Sequence, residues 1–111
     1  MAVIVRALIS PKQAEAAQTG QYQANSVKAI IDKFTATNTS SSNVVFSCNL
    51  IPVTESASAS NLIIDSKVIA PDETYICPEL IGQVLEDGGI ISTLCDTASA
   101  LTISSSGREI S

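Results

Sequence analysis

Val27 to Ile51 reads VKAIIDKFTATNTSSSNVVFSCNLI, two runs rich in β-branched and aromatic residues on either side of a polar break from Asn38 to Asn43. In the second run Val44, Phe46, Cys48 and Leu50 share one parity and Val45, Ser47, Asn49 and Ile51 the other, the period of two that a pleated strand imposes. The first run is less regular. Ile30, Asp32, Phe34 and Ala36 fall on one parity, yet Asp32 is a charge, so Ile31 is expected to point inward, with a bulge near Asp32 and Lys33 shifting the register before Phe34. The pattern predicts a hairpin. Phe34 and Phe46 are the only phenylalanines of a chain without tryptophan, and burying each is worth roughly 1.5–3 kcal/mol. The core is therefore expected around them.

The flanking sequence continues the strand signal. Ala2 to Ile9, closed by Ser10-Pro11, reads as an opening strand or as an arm that pairs with something else. Lys12 to Gln23 carries helix formers in its first half and predicts a short helical turn, so residues 1–26 read as an N-terminal strand or arm and 27–111 as the β-sandwich proper. Pro52 to Ser60 has small residues without periodicity and reads as a surface loop. From Asn61 to Ala70 the alternation places Leu62, Ile64 and Val68 on one face and Ile63, Asp65, Lys67 and Ile69 on the other. Pro71-Asp72-Glu73-Thr74 predicts a turn with Pro71 at position i+1. Tyr75 to Cys77 reads as a short strand stopped by Pro78, and Glu79 to Gln83 as one loose turn. Glu86-Asp87-Gly88-Gly89 predicts a tight reversal, and Ile90 to Cys95 with Leu101 to Ser105 a last hairpin across Asp96 to Ala100. Gly107 to Ser111 closes the chain as a further strand or a loose end. Short strands spaced by turn signals, without a βαβ rhythm, predict an all-β single domain: an antiparallel β-sandwich or jelly roll with little helix, and a barrel as the structural alternative.

Composition narrows the function classes. At 111 residues there is room for one modest core. Hydrophobic residues make up 45% and charged ones 15%, which speaks against a disordered chain. A net charge of −5 with only six lysines and arginines speaks against a nucleic-acid partner, because counterion release at phosphates needs clustered cations. The N-terminus has neither the basic region nor the apolar length of a signal peptide or membrane span, so no membrane association is expected. Cys48, Cys77 and Cys95 lie far apart in apolar contexts and read as small buried hydrophobes in a reducing compartment rather than as metal ligands or a disulfide framework. Asn38-Thr39-Ser40 matches a glycosylation sequon, which has no consequence without secretion.

No histidine is present, which removes the commonest general base and the usual nucleophile pairs. Glu86-Asp87 and Asp72-Glu73 are the acidic pairs open to acid-base work or calcium binding, and each has solvated turn chemistry as its plainer reading. No catalytic, cofactor-binding or metal residue is assigned and no cofactor is implied. Tyr22 and Tyr75 are the only side chains for a sugar-stacking surface, and Tyr22 reads more readily as a cap on the core edge. What remains concerns association. Val3, Ile4, Val5 and Leu8 in the opening run, Tyr22, Ile63 and Ile69 in strands with two apolar faces, and Ile110 near the end are the candidate interface residues. Removing Ala2 to Ile9 is expected to abolish association and leave a folded monomer.

The segments AIIDKFTATNTSSSNVVFSCNLIPV and NLIIDSKVIAPDETYICPELIGQVLEDGGIISTLCDTASALTISSSGREIS together resemble the small β-sandwich virion proteins of tailed bacteriophages. In those proteins a strand ending in Asn-Thr and a small-residue turn precedes a second strand, and a closing Ser/Ala hairpin leads to Gly-x-Glu-Ile. The resemblance spans Val27 to Ser111. It implies a virion structural protein made in the bacterial host cytoplasm, a collar, neck, capsid decoration or tail accessory subunit. Its implied partners are copies of itself and capsid, portal or neck proteins, and it carries no catalytic residues. A receptor- or carbohydrate-binding module of a tail or head fibre is the alternative.

Overall fold

Phe34 and Phe46 are both fully buried, and their rings meet with centroids 6.3 Å apart and planes inclined by 34°. They do so across two sheets. In the computed structural model, which describes residues 2–111, Phe34 lies on β3 (Lys28–Asn38) and Phe46 on β4 (Val44–Ile51). The expected hairpin between these strands does not form: β3 hydrogen-bonds in one sheet and β4 in the other. Two phenylalanines can be covered on both sides only if the chain crosses from sheet to sheet at the polar break, which places each ring under the opposite layer.

The same crossing recurs. β1 (Val3–Gln13), β9 (Leu101–Ile110) and β3 form the first sheet, with the two-residue strands β6 (Thr74–Tyr75) and β7 (Val84–Leu85) both on the outer side of β3. β2 (Thr19–Gln23), β8 (Ile90–Cys95), β4 and β5 (Leu62–Ile69) form the second, in that order. Successive strands change sheet except at β4 to β5 and β6 to β7. The reversals at Glu86–Gly89 and Asp96–Ala100 are therefore corners between sheets, not hairpins. Pairing runs instead between the two halves of the chain: β1 with β9, β2 with β8, β3 with β6 and β7, β4 with β5, all antiparallel. The chain is one long ribbon folded back at residues 52–61 and then rolled, which is the strand order of a jelly roll.

Other expectations are corrected here. Lys12 to Gln23 forms no helical turn; it supplies the end of β1 and all of β2, so residues 1–26 belong to both sheets and are not an appended arm. In β5 the expected parity fails because an extra residue at Asp65-Ser66, with Ser66 at φ 55°, shifts the register against β4. Ile64 and Ile69 therefore both turn inward, and Ile69 is core rather than interface. Leu8 is likewise core.

Two local devices hold the layers in place. The bulge expected after Ile31 is present: Asp32 and Lys33 are both exposed, Ile31 and Phe34 are both buried, and the Ser105 hydroxyl donates to the Lys33 carbonyl at 2.8 Å. Beside it, Gly107 cannot carry a side chain, since a Cβ there would lie 2.1 Å from the Ile30 carbonyl oxygen. At the β3 to β4 corner, Asn38 is fully buried. Its amide donates to the Ser42 and Ile69 carbonyls at 2.7 and 2.8 Å and its oxygen accepts from Ser40 N–H at 2.9 Å, so one side chain supplies the bonds that a buried turn would otherwise lack. The Pro71 turn has its expected geometry, with Glu73 N–H donating to Ala70 O at 3.1 Å.

Phe46→Ala should lower stability by about 3–5 kcal/mol and Asn38→Ala by about 1–3 kcal/mol for the orphaned backbone groups. Val68→Thr, on the exposed side of β5, should change it by less than about 0.5 kcal/mol. Urea unfolding of the three variants checks the ranking.

Candidate interaction surface

The first five residues of β1, Val3 to Ala7 (VIVRA), pair one to one with Ile110 to Ser106 without a bulge. Ser111 N–H donates to Ala2 O at 3.0 Å. In an antiparallel ladder the bonded positions alternate, so Ala2, Ile4 and Arg6 turn their backbone groups toward β9, while Val3, Val5 and Ala7 turn theirs away. β1 is the last strand of its sheet, and those outward N–H and C=O groups face solvent. Their side chains do as well: Val5 is 80% exposed, Val3 54% and Ile4 47%. On the outer face Val3 stands beside half-buried Ile110, and Val5 beside Arg108.

On the inner face, Arg6 Nε contacts Glu109 Oε1 at 2.9 Å. Glu109 also accepts a hydrogen bond from the Tyr22 hydroxyl on β2. Burial and this carboxylate push the Tyr22 phenol well above its usual range. The triad ties β1, β9 and β2 together at the open end of the sandwich and neutralises the only charge in the exposed run. Tyr22, Ile63 and Ile110 are half-buried, Val3, Ile4 and Val5 are exposed, and Leu8 and Ile69 are interior. The candidates that come together are thus Val3, Ile4, Val5, Tyr22 and Ile110. The Arg6–Glu109 pair that frames them was not anticipated; the one charge within an apolar run and the one acid in the C-terminal tail were its trace in the sequence.

The remaining sheet edges are defended. Past Ala7, β1 itself has register shifts at Ile9 and Lys12, with Pro11 between them. β5 carries the Asp65-Ser66 bulge, β2 is the polar pentapeptide TGQYQ, and β6 and β7 are two residues each. Bulges, prolines, lysines and shortness are the ordinary means of discouraging edge-to-edge pairing. Val3 to Ala7 has no bulge, proline or lysine, and its one charge, Arg6, is paired with Glu109 on the inner face.

The acidic pairs are engaged in turns. Asp87 Oδ1 accepts from Ser26 N–H at 2.7 Å, Glu73 Oε1 from Ala70 N–H at 2.8 Å, and Glu86 lies 3.6 Å from the Lys28 ammonium. Among the described residues no three His, Cys, Asp or Glu side chains converge. Tyr75 has its hydroxyl on Glu79 at 2.6 Å and the Lys67 ammonium over its ring at 4.8 Å, a cation–π contact that occupies one face. A mostly apolar groove lined by Leu50, Pro52, Val53, Val84, Leu85, Gly89 and the single acid Glu86 shares no residue with the β1 edge. No described helix is long and apolar enough to cross a membrane. No family model, curated protein or solved structure matches this chain.

Cys48, Cys77 and Cys95 are free and buried. Burial pushes the thiols of Cys48 and Cys77 up to about 12. An unfolded thiol ionises near roughly pH 8.5, so above that pH the unfolded chain binds fewer protons than the folded one. Their contribution to stability is full below about pH 8.5 and is lost as pH rises toward the folded values. The urea midpoint should fall between pH 8 and pH 10. At pH 8 an aromatic disulfide reagent should label the cysteines only as fast as the protein unfolds.

Proposed function

We propose that this chain is a structural subunit of a tailed-phage particle. It sits in the head-neck region, as a collar or capsid cement subunit, and holds its neighbours through the β1 edge. The observation that carries the reading is the unbulged, largely apolar Val3–Ala7 edge, whose one charge, Arg6, is paired with Glu109, on a domain whose other edges are blunted. An edge of this kind adds strands from a neighbour: backbone bonds supply adhesion and the alternate side chains supply selectivity. The jelly-roll order supports it, being an architecture that capsid domains share with lectins and cupins. No chemical step is needed. The capsid, portal and neck proteins of such a particle are the partners, and the virion is the location.

The β1 edge also decides how the reading is tested. Removing Ala2 to Ile9 would strip Leu8 and Ile9 from the core as well as the edge, so a folded monomer is not the expected product. Point changes separate the two. The purified protein should co-sediment with particles that lack it, and Val3→Lys with Val5→Lys should weaken that binding at least tenfold while unfolding in urea at the wild-type midpoint. Wild-type protein that stays in the supernatant would contradict the virion reading.

A further inference from the structure

Resting on the reading of β1 as an adhesive edge, we propose that its occupant is a second copy of this chain, paired antiparallel across a two-fold axis at Val5. The outward backbone groups belong to Val3, Val5 and Ala7, a set that maps onto itself when reversed about Val5. In that register Val5 faces Val5 of the second copy and Val3 faces its Ala7, and every outward N–H meets an outward C=O. A self-complementary patch of this sort is what a two-fold interface requires.

Side chains agree with this register. Val3, Val5 and Ala7 form an uncharged outer row that continues into the same row of the second copy. On the inner face Arg6 lies opposite Ile4, not opposite another Arg6, and its guanidinium is already matched by Glu109 at 2.9 Å. Like charges are therefore not set against one another. The paired length is also bounded: the shifts at Ile9 and Lys12 and the missing N–H of Pro11 stop the ladder beyond Ala7. The outcome is a closed pair that joins two five-stranded sheets edge to edge, rather than an open fibre.

Two substitutions test the pairing and its register. Val5→Pro removes an outward N–H that β9 does not use, so the intrachain ladder survives. Val5→Cys places two thiols on directly opposed residues, with Cα atoms about 5.5 Å apart in a bonded antiparallel pair, within the disulfide range of about 4.4–6.8 Å. The native cysteines are buried and do not compete. Light scattering should give twice the 11.5 kDa chain mass for the wild type and the single mass for Val5→Pro, with both retaining the same circular dichroism spectrum. Mild oxidation should cross-link Val5→Cys and leave Val3→Cys, which faces Ala7, at least tenfold less linked. A wild type that is monomeric at every concentration with no Val5→Cys link overturns the inference, as does equal linking of both cysteine variants. A monomeric wild type whose particle binding is nonetheless lost in Val5→Pro overturns the second-copy assignment and leaves the adhesive edge standing. A pair that forms but never binds particles upholds the inference and removes the virion reading.

Discussion

The contact of Phe34 with Phe46 sets the architecture. In a chain of 111 residues with no tryptophan, these rings are the largest apolar bodies, and neither is covered by its own sheet. The chain must cross from layer to layer between them, and Asn38 makes that crossing tolerable by bonding the backbone of the corner. Once β3 and β4 lie in opposite sheets, the corners at Glu86–Gly89 and Asp96–Ala100 follow the same rule, and each strand finds its partner in the other half of the chain. Among the described residues no buried side-chain nitrogen or oxygen lacks a hydrogen-bond partner, so the polar residues that replace charges in this composition serve the interior as well as the surface.

Rolling a ribbon brings the first strand against the last. Val3 to Ala7 are supported by Ser106 to Ile110 and by the Arg6–Glu109–Tyr22 contacts. The β1 edge is therefore formed only once strands far apart in sequence have paired. Pairings this distant in sequence cost loop entropy before they gain contacts, and such topologies fold slowly.

The strands were legible wherever a local period carried them. Ile31, Phe34 and Phe46 declared themselves as core, and a charge at Asp32 in an inward position gave away the bulge. The all-β class and the two-layer sandwich followed from the same periodicity. Sheet membership was not legible, because alternation reports which face is buried and not which strand lies beside it. Asp65-Ser66 in β5 flips parity through a positive φ at a serine, with no glycine to mark it, so Ile69 passed for a surface residue. Lys12 to Gln23 has helix-forming residues, but Lys12 and Gln21 reach Glu15 and one another as side-chain partners between β1 and β2, and tertiary pairing overrides propensity there. At the candidate site, Val3, Ile4 and Val5 were legible as apolar residues without a core to enter. That only Val3, Val5 and Ala7 present free backbone depends on the ladder with β9, which no local pattern records.

Amide hydrogen exchange along β1, read residue by residue at low and high protein concentration, tests the account most directly. The N–H groups of Ile4 and Arg6, bonded to β9, should exchange slowly at both concentrations. Those of Val5 and Ala7 should exchange fast when dilute and become protected when concentrated. Fast exchange at Ile4 and Arg6 would contradict the docking of β1 on β9, and Val5 and Ala7 exchanging fast at every concentration would contradict a self-pairing edge.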